Sequence, residues 1–354
     1  MTTARVTIKD IAREAGCAIG TVSDIINRNE THDYSQKTVA RVRDVAAKIG
    51  YVHHTQASSL RTGKTHVIGV THSFLTQLQA GFNNPYVTQV YAGVGSALAG
   101  KDYNLLFHNV TGVAEQTGDP TDLIRSRQAD GLIYIYFSNQ QERFENEHAP
   151  LLRNTGLPVV VIHSTDRDFP FANVGLDSAQ GGYLAATHLI QHGYDQVGLV
   201  CHEQTRGLHR AFLAGYEKAL KEHGRAVDDS IIYRVGPNTT HNGMALVRDV
   251  LCGGGTFPRA LFVTEDATAY GMMRALAEAG VRVPEDVAIV GFGDYYNEAH
   301  IVHTLTSVVQ PAFRKGQAAA RILLKLLGDP DQVGMAGTVV FEPELRTRTS
   351  CGCE

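Results

Sequence analysis

Seven short apolar runs, spaced along the chain between helical stretches, restrict its fold more than any other feature. They are VIGV (67–70), NLLFHN (104–109), GLIYIYF (131–137), PVVVIH (158–163), QVGLVC (196–201), RALFVT (259–264) and DVAIVGF (286–292). Stretches 86–100, 178–192, 209–223, 242–251, 266–279 and 312–327 lie between or after them with helical character. A strand that is apolar on both sides must be covered on both faces, and alternating helices supply that cover. The pattern therefore predicts an α/β body of parallel sheets flanked by helices. There are more such units than one sheet comfortably holds, so residues 66–354 are expected to form two lobes. The chain is expected to cross between them near 169–177 and to return near 294–310.

The first 51 residues read differently, as three short helices. Thr7 offers an N-cap before Ile8, Ile11, Ala12 and Ala15, and Gly16 supplies the stop. A second helix is expected over 19–26, and a third begins near Ser35 with Val39, Val42, Val45, Ala46 and Ile49 as its stripe. Counted from Ile8, the small or apolar residues Ala12, Gly16 and Val22 occupy the fifth, ninth and fifteenth positions of a helix-turn-helix. Ala12 allows close packing, Gly16 allows the turn, and Val22 fills the angle. The second helix then presents Ile19, Gly20, Ser23, Asp24 and Asn27 outward, toward a DNA major groove. A generic helical bundle is the alternative. Charge favours the first reading. Residues 1–61 hold nine Lys/Arg against six Asp/Glu, a balance of +3, whereas the whole chain carries −4. Residues 52–65 (VHHTQASSLRTGKT) lack a long apolar stripe and form a linker with room for one short helix.

Other classes are excluded by what the sequence lacks. No uncharged apolar run reaches the ~18 residues of a membrane span. The charged start MTTARVTIKDIAREAG is unlike a secretion signal, so a cytoplasmic protein is expected. Five cysteines (17, 201, 252, 351, 353) make no disulfide framework and suit a reducing compartment. No phosphate-binding GxxxxGK[ST], GxSxG or HExxH motif occurs, and Gly253-Gly254-Gly255 follows a helix and precedes a strand, as a turn does. The histidines show no ligand spacing with the cysteines, and Cys351-Gly352-Cys353 reads as a frayed end. No catalytic residue, metal site or cofactor is therefore expected.

The stretch VTIKDIAREAGCAIGTVSDIIN, then YSQKTVARVRDVAAKIGY and ASSLRTGKTHVIGV, resembles the LacI/GalR (lactose-repressor-like) family of transcription regulators. The likeness continues in order through NNPYVTQVYAGV (83–94), ADGLIYI (129–135), VGLDSAQGGYLAATHLIQHGYDQVGLV (174–200), LFVTEDATAYGMMRALAEAGVRVPEDVAIVGFGD (261–294), LTSVVQP (305–311) and EPELRTRTS (342–350). It implies a homodimer with paired heads on a pseudo-palindromic operator. Thr7, Thr21, Ser23, Asn27, Ser35 and Thr38 match family positions that contact phosphate, and Ile19, Gly20 and Asp24 match positions that read bases. The family often has Arg or His at the place of Asp24. A carboxylate accepts from cytosine N4 instead, so the operator is expected to differ at that base unless Asp24 pairs locally. The linker matches a hinge helix that folds on DNA, with Ala57 and Leu60 at the minor groove and Leu60 as its wedge. His53 and His54 stand where Pro and Asn are usual, which weakens helix initiation.

The body is similar to periplasmic sugar-binding proteins, which implies a small effector in the cleft between the lobes, reciprocally coupled to DNA binding. Positions matching the family's pocket are Ser73, His163, Phe212, Glu265, Gly293 and Gln310, with Asp294 beside them and Tyr86 and Phe292 as apolar walls. Phe212, Glu265, Gly293 and His163 replace the usual Arg, Asn, Asp and Asp, and the Phe and Gly remove two partners for sugar hydroxyls. A carbohydrate effector is expected. The alternatives are an amine or nucleoside effector, or a regulator with no effector response. A small-molecule binding protein without a DNA role is a reading of another class, which the intact head and the start of the chain argue against. The C-terminus leaves no room for the leucine heptad of tetrameric relatives, so a dimer is expected.

Overall fold

The helical head and the strand-helix body are separate units in the computed structural model, which divides at His66/Val67. It describes residues 6–26, 33–51, 63–72, 84–109, 120–135, 144–162, 170–202, 208–236, 239–295, 304–328 and 337–353. Asn27, His53, His54, Ala57, Leu60, Ser73 and His163 fall outside these residues.

In the head, α1 (Ile8–Ala15), α2 (Ile19–Ile26) and α3 (Gln36–Lys48) pack around Ile11, Val22 and Val42, all fully buried. Ala12 and Ala15 are small enough to let α2 approach. Gly16 sits in the left-handed region (φ 60°) and its N–H donates to Ala12 O, which closes α1 and turns the chain into α2.

The body begins with β1 (Val67–His72), α4 (Pro85–Leu98), β2 (Asn104–Asn109), α5 (Asp122–Arg125) and β3 (Gly131–Ile135). A π-helical turn at Phe144–His148 runs into α6 (Ala149–Asn154), followed by β4 (Val159–Ile162) and β5 (Ala172–Leu176). The second lobe continues with α7 (Ser178–Gln191), β6 (Val197–His202), α8 (Leu208–Glu222), β7 (Ile232–Val235), α9 (Thr240–Cys252), β8 (Ala260–Val263), α10 (Asp266–Glu278), β9 (Ala288–Gly293) and β10 (Thr306–Val309). Then come α11 (Ala312–Gly328), β11 (Thr338–Phe341) and β12 (Glu344–Arg346).

Two six-stranded sheets result, ordered β11-β5-β4-β3-β1-β2 and β12-β10-β9-β8-β6-β7. The first is parallel throughout; in the second only β12 runs antiparallel. Each lobe has a core on both faces of its sheet, as continuous apolar strands demand. The chain passes between lobes three times: after β5 at Asp177, at Gln310-Pro311 between β10 and α11, and at Glu342-Pro343 between β11 and β12. The segment 169–177 thus contains β5, a strand of the first sheet, and the passage follows it. The third passage has no counterpart in the sequence reading.

Three helix pairs are closed by reciprocal glycines. A Cβ on Gly93 of α4 would lie 2.0 Å from Phe313 O, and one on Gly316 of α11 would lie 2.2 Å from Val90 O. The α7–α8 pair repeats this with Gly182 against Phe212 O (2.3 Å) and Gly215 against Ala179 O (1.9 Å). The α9–α10 pair does so with Gly243 against Thr268 O (2.1 Å) and Gly271 against Thr240 O (2.0 Å). No side chain fits at these six positions without moving a helix.

Candidate functional site

The head exposes the start of α2. Ile19 is 51% exposed, unusual for a large aliphatic side chain, and Gly20 beside it faces open space. Thr21, Ser23 and Asp24 are half-buried along the same helix. Asp24 does not point free: its Oδ2 accepts from the Tyr34 hydroxyl at 2.9 Å, which raises the Tyr34 pKa. The local pairing considered for Asp24 is therefore present. Thr7 donates its N–H and its hydroxyl to Asp10 Oδ2 (2.9 and 2.8 Å), and these bonds hold Asp10 below its ordinary value. Ser35 caps α3, accepting from Thr38 N at 3.2 Å, with the two hydroxyls 2.9 Å apart.

In the body, the carboxyl ends of parallel strands are where an open α/β sheet offers a crevice. The ends of β8 and β9 place Glu265, Asp266, Gly293 and Asp294 there. Asp266, at the start of α10, is buried and accepts from Ser307 Oγ (2.7 Å) and from Asp294 N (2.6 Å). Gly291 makes room for it, since a Cβ there would meet Asp266 Oδ1 at 2.2 Å. Burial outweighs those two bonds and raises Asp266 to about 6. Burial and the Asp266 charge also push Glu265 well above the usual carboxylate range.

Asp294 is at positive φ (53°) and forks to two arginines, Arg346 Nη1 at 2.5 Å and Arg348 Nη2 at 2.8 Å. Its side chain is only 4% exposed, so the carboxylate that sequence assigns to the effector is committed to a pair of cations. Gln310 is buried, and its N–H donates to Gly293 O. Asp294 and Gln310 do meet along one crevice of about 290 Å³ beside the crossovers, shared with Tyr295, Pro311, Glu342 and Arg346.

The expected aromatic walls lie deeper. Phe212 is fully buried and packs edge-on against Phe292 (centroids 4.4 Å) and Phe262 (6.2 Å). Phe292 is 1% exposed. Neither ring is an open wall; both belong to the core under α7 and α8. Tyr86 is buried against the Tyr295 ring at 5.6 Å, with Lys315 Nζ 5.2 Å from its centroid.

A model of "Bacterial regulatory proteins, lacI family" matches residues 7–53, and one of a "Periplasmic binding protein-like domain" matches 186–351. The chain belongs to the LacI family. A PurR-named HTH-type transcriptional repressor of Haemophilus influenzae is 29% identical over 349 residues, 97% of this chain and 98% of that protein. A ribose operon repressor of Haemophilus influenzae matches at the same identity and coverage, 29% over 349 residues, 97% and 98%. A solved lac repressor dimer, bound to operator and the anti-inducer ONPF, shares the fold at a TM-score of 0.80. That likeness has 24% identity and covers 98% of this chain and 99% of the other. This LacI-family chain is a DNA-binding transcription regulator and not an enzyme. Among the described residues no helix is long and apolar enough to cross a membrane.

Sequence reasoning missed several residues of this LacI-family body. Ser307, Arg346 and Arg348 hold the two aspartates, and Lys315 is buried among apolar residues of α11. Lys315 was legible in principle: it falls at helical spacing with Ala312, Gly316 and Ala319 on the stripe that faces the core. The first strand of each lobe also ends in a buried histidine, His72 and His202. Desolvation lowers the pKa of His72.

Proposed function

We propose that this regulator binds a pseudo-palindromic operator as a homodimer and represses transcription, with a small carbohydrate between its lobes setting operator affinity. What carries the reading is collinearity: one chain joins a LacI-type head to a two-lobed body, and repressors match it over 97% of its length. Ile19 and Gly20 are the base readers, since they form the exposed edge of α2. Thr7, Thr21, Ser23, Asn27, Ser35 and Thr38 bind phosphates, fixing register without reading sequence. Ala57 and Leu60 form the minor-groove wedge.

For the effector, Glu265 and Gln310 supply polar groups at the strand ends and Asp294 acts through Arg346, which it holds at the crevice, with Ser73 and His163 joining them. Tyr86, Phe212 and Phe292 support the pocket from behind. A carbohydrate is favoured because a relative is a ribose operon repressor. A purine is the second reading, favoured by the similarity to a PurR-named repressor and by the tilted Tyr86–Tyr295 pair at the crossover.

Selection of operators from a randomised palindrome library tests DNA recognition, and sedimentation of the complex tests the dimer. Thermal unfolding against sugars, sugar phosphates, nucleosides and purine bases tests the effector; a ligand at 100-fold its Kd adds about 2.7 kcal/mol. Stabilisation by sugars supports the proposal, and stabilisation by purines alone replaces it with the second reading.

A further inference from the structure

Two histidines one turn apart at the end of α7, His188 within the helix and His192 as its C-cap, meet two cysteines near the C-terminus. His188 and His192, four residues apart, share a helix face, and their rings lie 4.4 Å apart. Cys353 Sγ is 3.3 Å from His192 Nε2 and 3.7 Å from His188 Nε2. Cys351 Sγ is 3.2 Å from His188 Nε2 and 3.1 Å from Cys353 Sγ. The His188, His192 and Cys353 donor atoms all lie within 4.8 Å of one another.

We propose that His188, His192, Cys351 and Cys353 form a tetrahedral zinc site. Zinc bonds of about 2.3 Å to sulfur and about 2.0–2.1 Å to nitrogen imply donor–donor edges of roughly 3.3–3.8 Å. The Cys351–His188, Cys353–His188 and Cys353–His192 distances lie close to that range; to complete the tetrahedron the two sulfurs must move apart by roughly 0.6 Å and Cys351 must draw toward His192. The donor set of two imidazoles and two thiols is borderline-soft, which selects Zn²⁺ over the oxygen-seeking Mg²⁺ and Ca²⁺. Four protein donors leave no open position, so the metal holds structure and does no chemistry.

The fold builds the cysteine side of this site rigidly. Thr349–Cys351 is a tight 3₁₀ turn, and Gly352 follows at φ 90°, a left-handed conformation that returns Cys353 to the side of Cys351. Ser350 anchors the turn, with its Oγ donating to Ile289 O (2.6 Å) and accepting from Thr306 N (2.8 Å). Around the donors, Thr306 Oγ1 lies 3.0 Å from Cys351 Sγ and the Tyr194 hydroxyl donates to Cys351 O. Such outer contacts orient metal ligands. The motif is invisible to local spacing because its halves lie 159 to 165 residues apart. The metal clamps to α7 the same terminal segment that carries Arg346 and Arg348 to Asp294.

The test uses the full-length protein, reduced and stripped with a chelator, then titrated with Co²⁺ followed by Zn²⁺. The expected result is one cobalt per chain, with the intense visible bands of a tetrahedral ion and a near-ultraviolet thiolate charge-transfer band, both abolished by zinc. Zinc should raise Tm. His192→Gln and Cys353→Ser, both at the rim, should each weaken cobalt binding by roughly a hundredfold. Cys252→Ser, on an exposed cysteine elsewhere, should bind as the parent does. A cobalt spectrum lacking thiolate charge transfer, unchanged binding in the two rim variants, or a Cys351–Cys353 disulfide that survives treatment with reductant would each overturn the proposal.

Discussion

An ammonium group beside the Tyr86 ring, 1% exposed, ionises against the cost of leaving water, and burial lowers Lys315 to about 7 from 10.5. In the unfolded chain it takes its proton near 10.5, so between about 7 and 10.5 the unfolded state binds more protons. The contribution of Lys315 to stability therefore rises with pH across that window and is flat below it, with a slope of at most about 1.4 kcal/mol per pH unit. Lys315→Met keeps the volume and removes the charge. It is expected to raise Tm at pH 7 and to abolish this slope, which unfolding of both proteins at pH 7, 8 and 9 would reveal as a difference that closes with pH. The head offers a second residue-scale prediction. Tyr34→Phe removes the hydroxyl that Asp24 Oδ2 accepts from and leaves that oxygen open to another donor. Operator selection should then favour cytosine at one symmetric half-site position. A preference unchanged at every position would mean that Asp24 faces no base. The sequence alone placed Asp24 on the reading helix, but it gave no sign of Tyr34, ten residues away, as its partner.

Helices long enough to show a period and strands apolar throughout were readable in advance; the shortest helices and the mixed edge strands were not. The six predicted helical stretches correspond to α4, α7, α8, α9, α10 and α11, each thirteen residues or longer. α5 has four residues and α6 six, too few to display an apolar stripe. β7 (IYRV) and the three-residue β12 (ELR) mix charge with apolar residues, because they are the edge strands of their sheet. Likewise Phe212 could be aligned to a polar pocket position, but its burial follows from the α7–α8 contact, which no single segment encodes. The reciprocal glycines make that kind of contact measurable. Gly316→Ala drives a methyl against Val90 O and should cost about 1–3 kcal/mol. Gly95→Ala, on α4 where nothing lies within 4 Å, should be neutral or stabilise by up to about 1 kcal/mol. Urea unfolding of the two variants beside the parent separates close packing from helix propensity.

Across the body as a whole, the passages between lobes are tied to one another. Asp177 N donates to Phe341 O, joining the first passage to the third, and Asp294 joins the chain after β9 to Arg346 and Arg348 beyond the third. Asp294→Ala would leave Arg348, 11% exposed, without its carboxylate and should destabilise the protein by about 3 kcal/mol. If these ties transmit the effector's signal, the same variant should also shrink the ligand-dependent change in operator affinity, read by fluorescence anisotropy with and without ligand at a temperature where it stays folded. The three passages also set an order of events during synthesis. β1 emerges from the ribosome early, but its sheet is completed only by β11, ending at Phe341, and the partner sheet only by β12. At roughly 5–20 residues per second, β5 waits with an open edge for on the order of ten seconds or more. The head is finished long before. A nascent chain of this regulator is thus a folded DNA-reading module trailing an unfinished body, and a chaperone that shields β5 would protect the whole molecule.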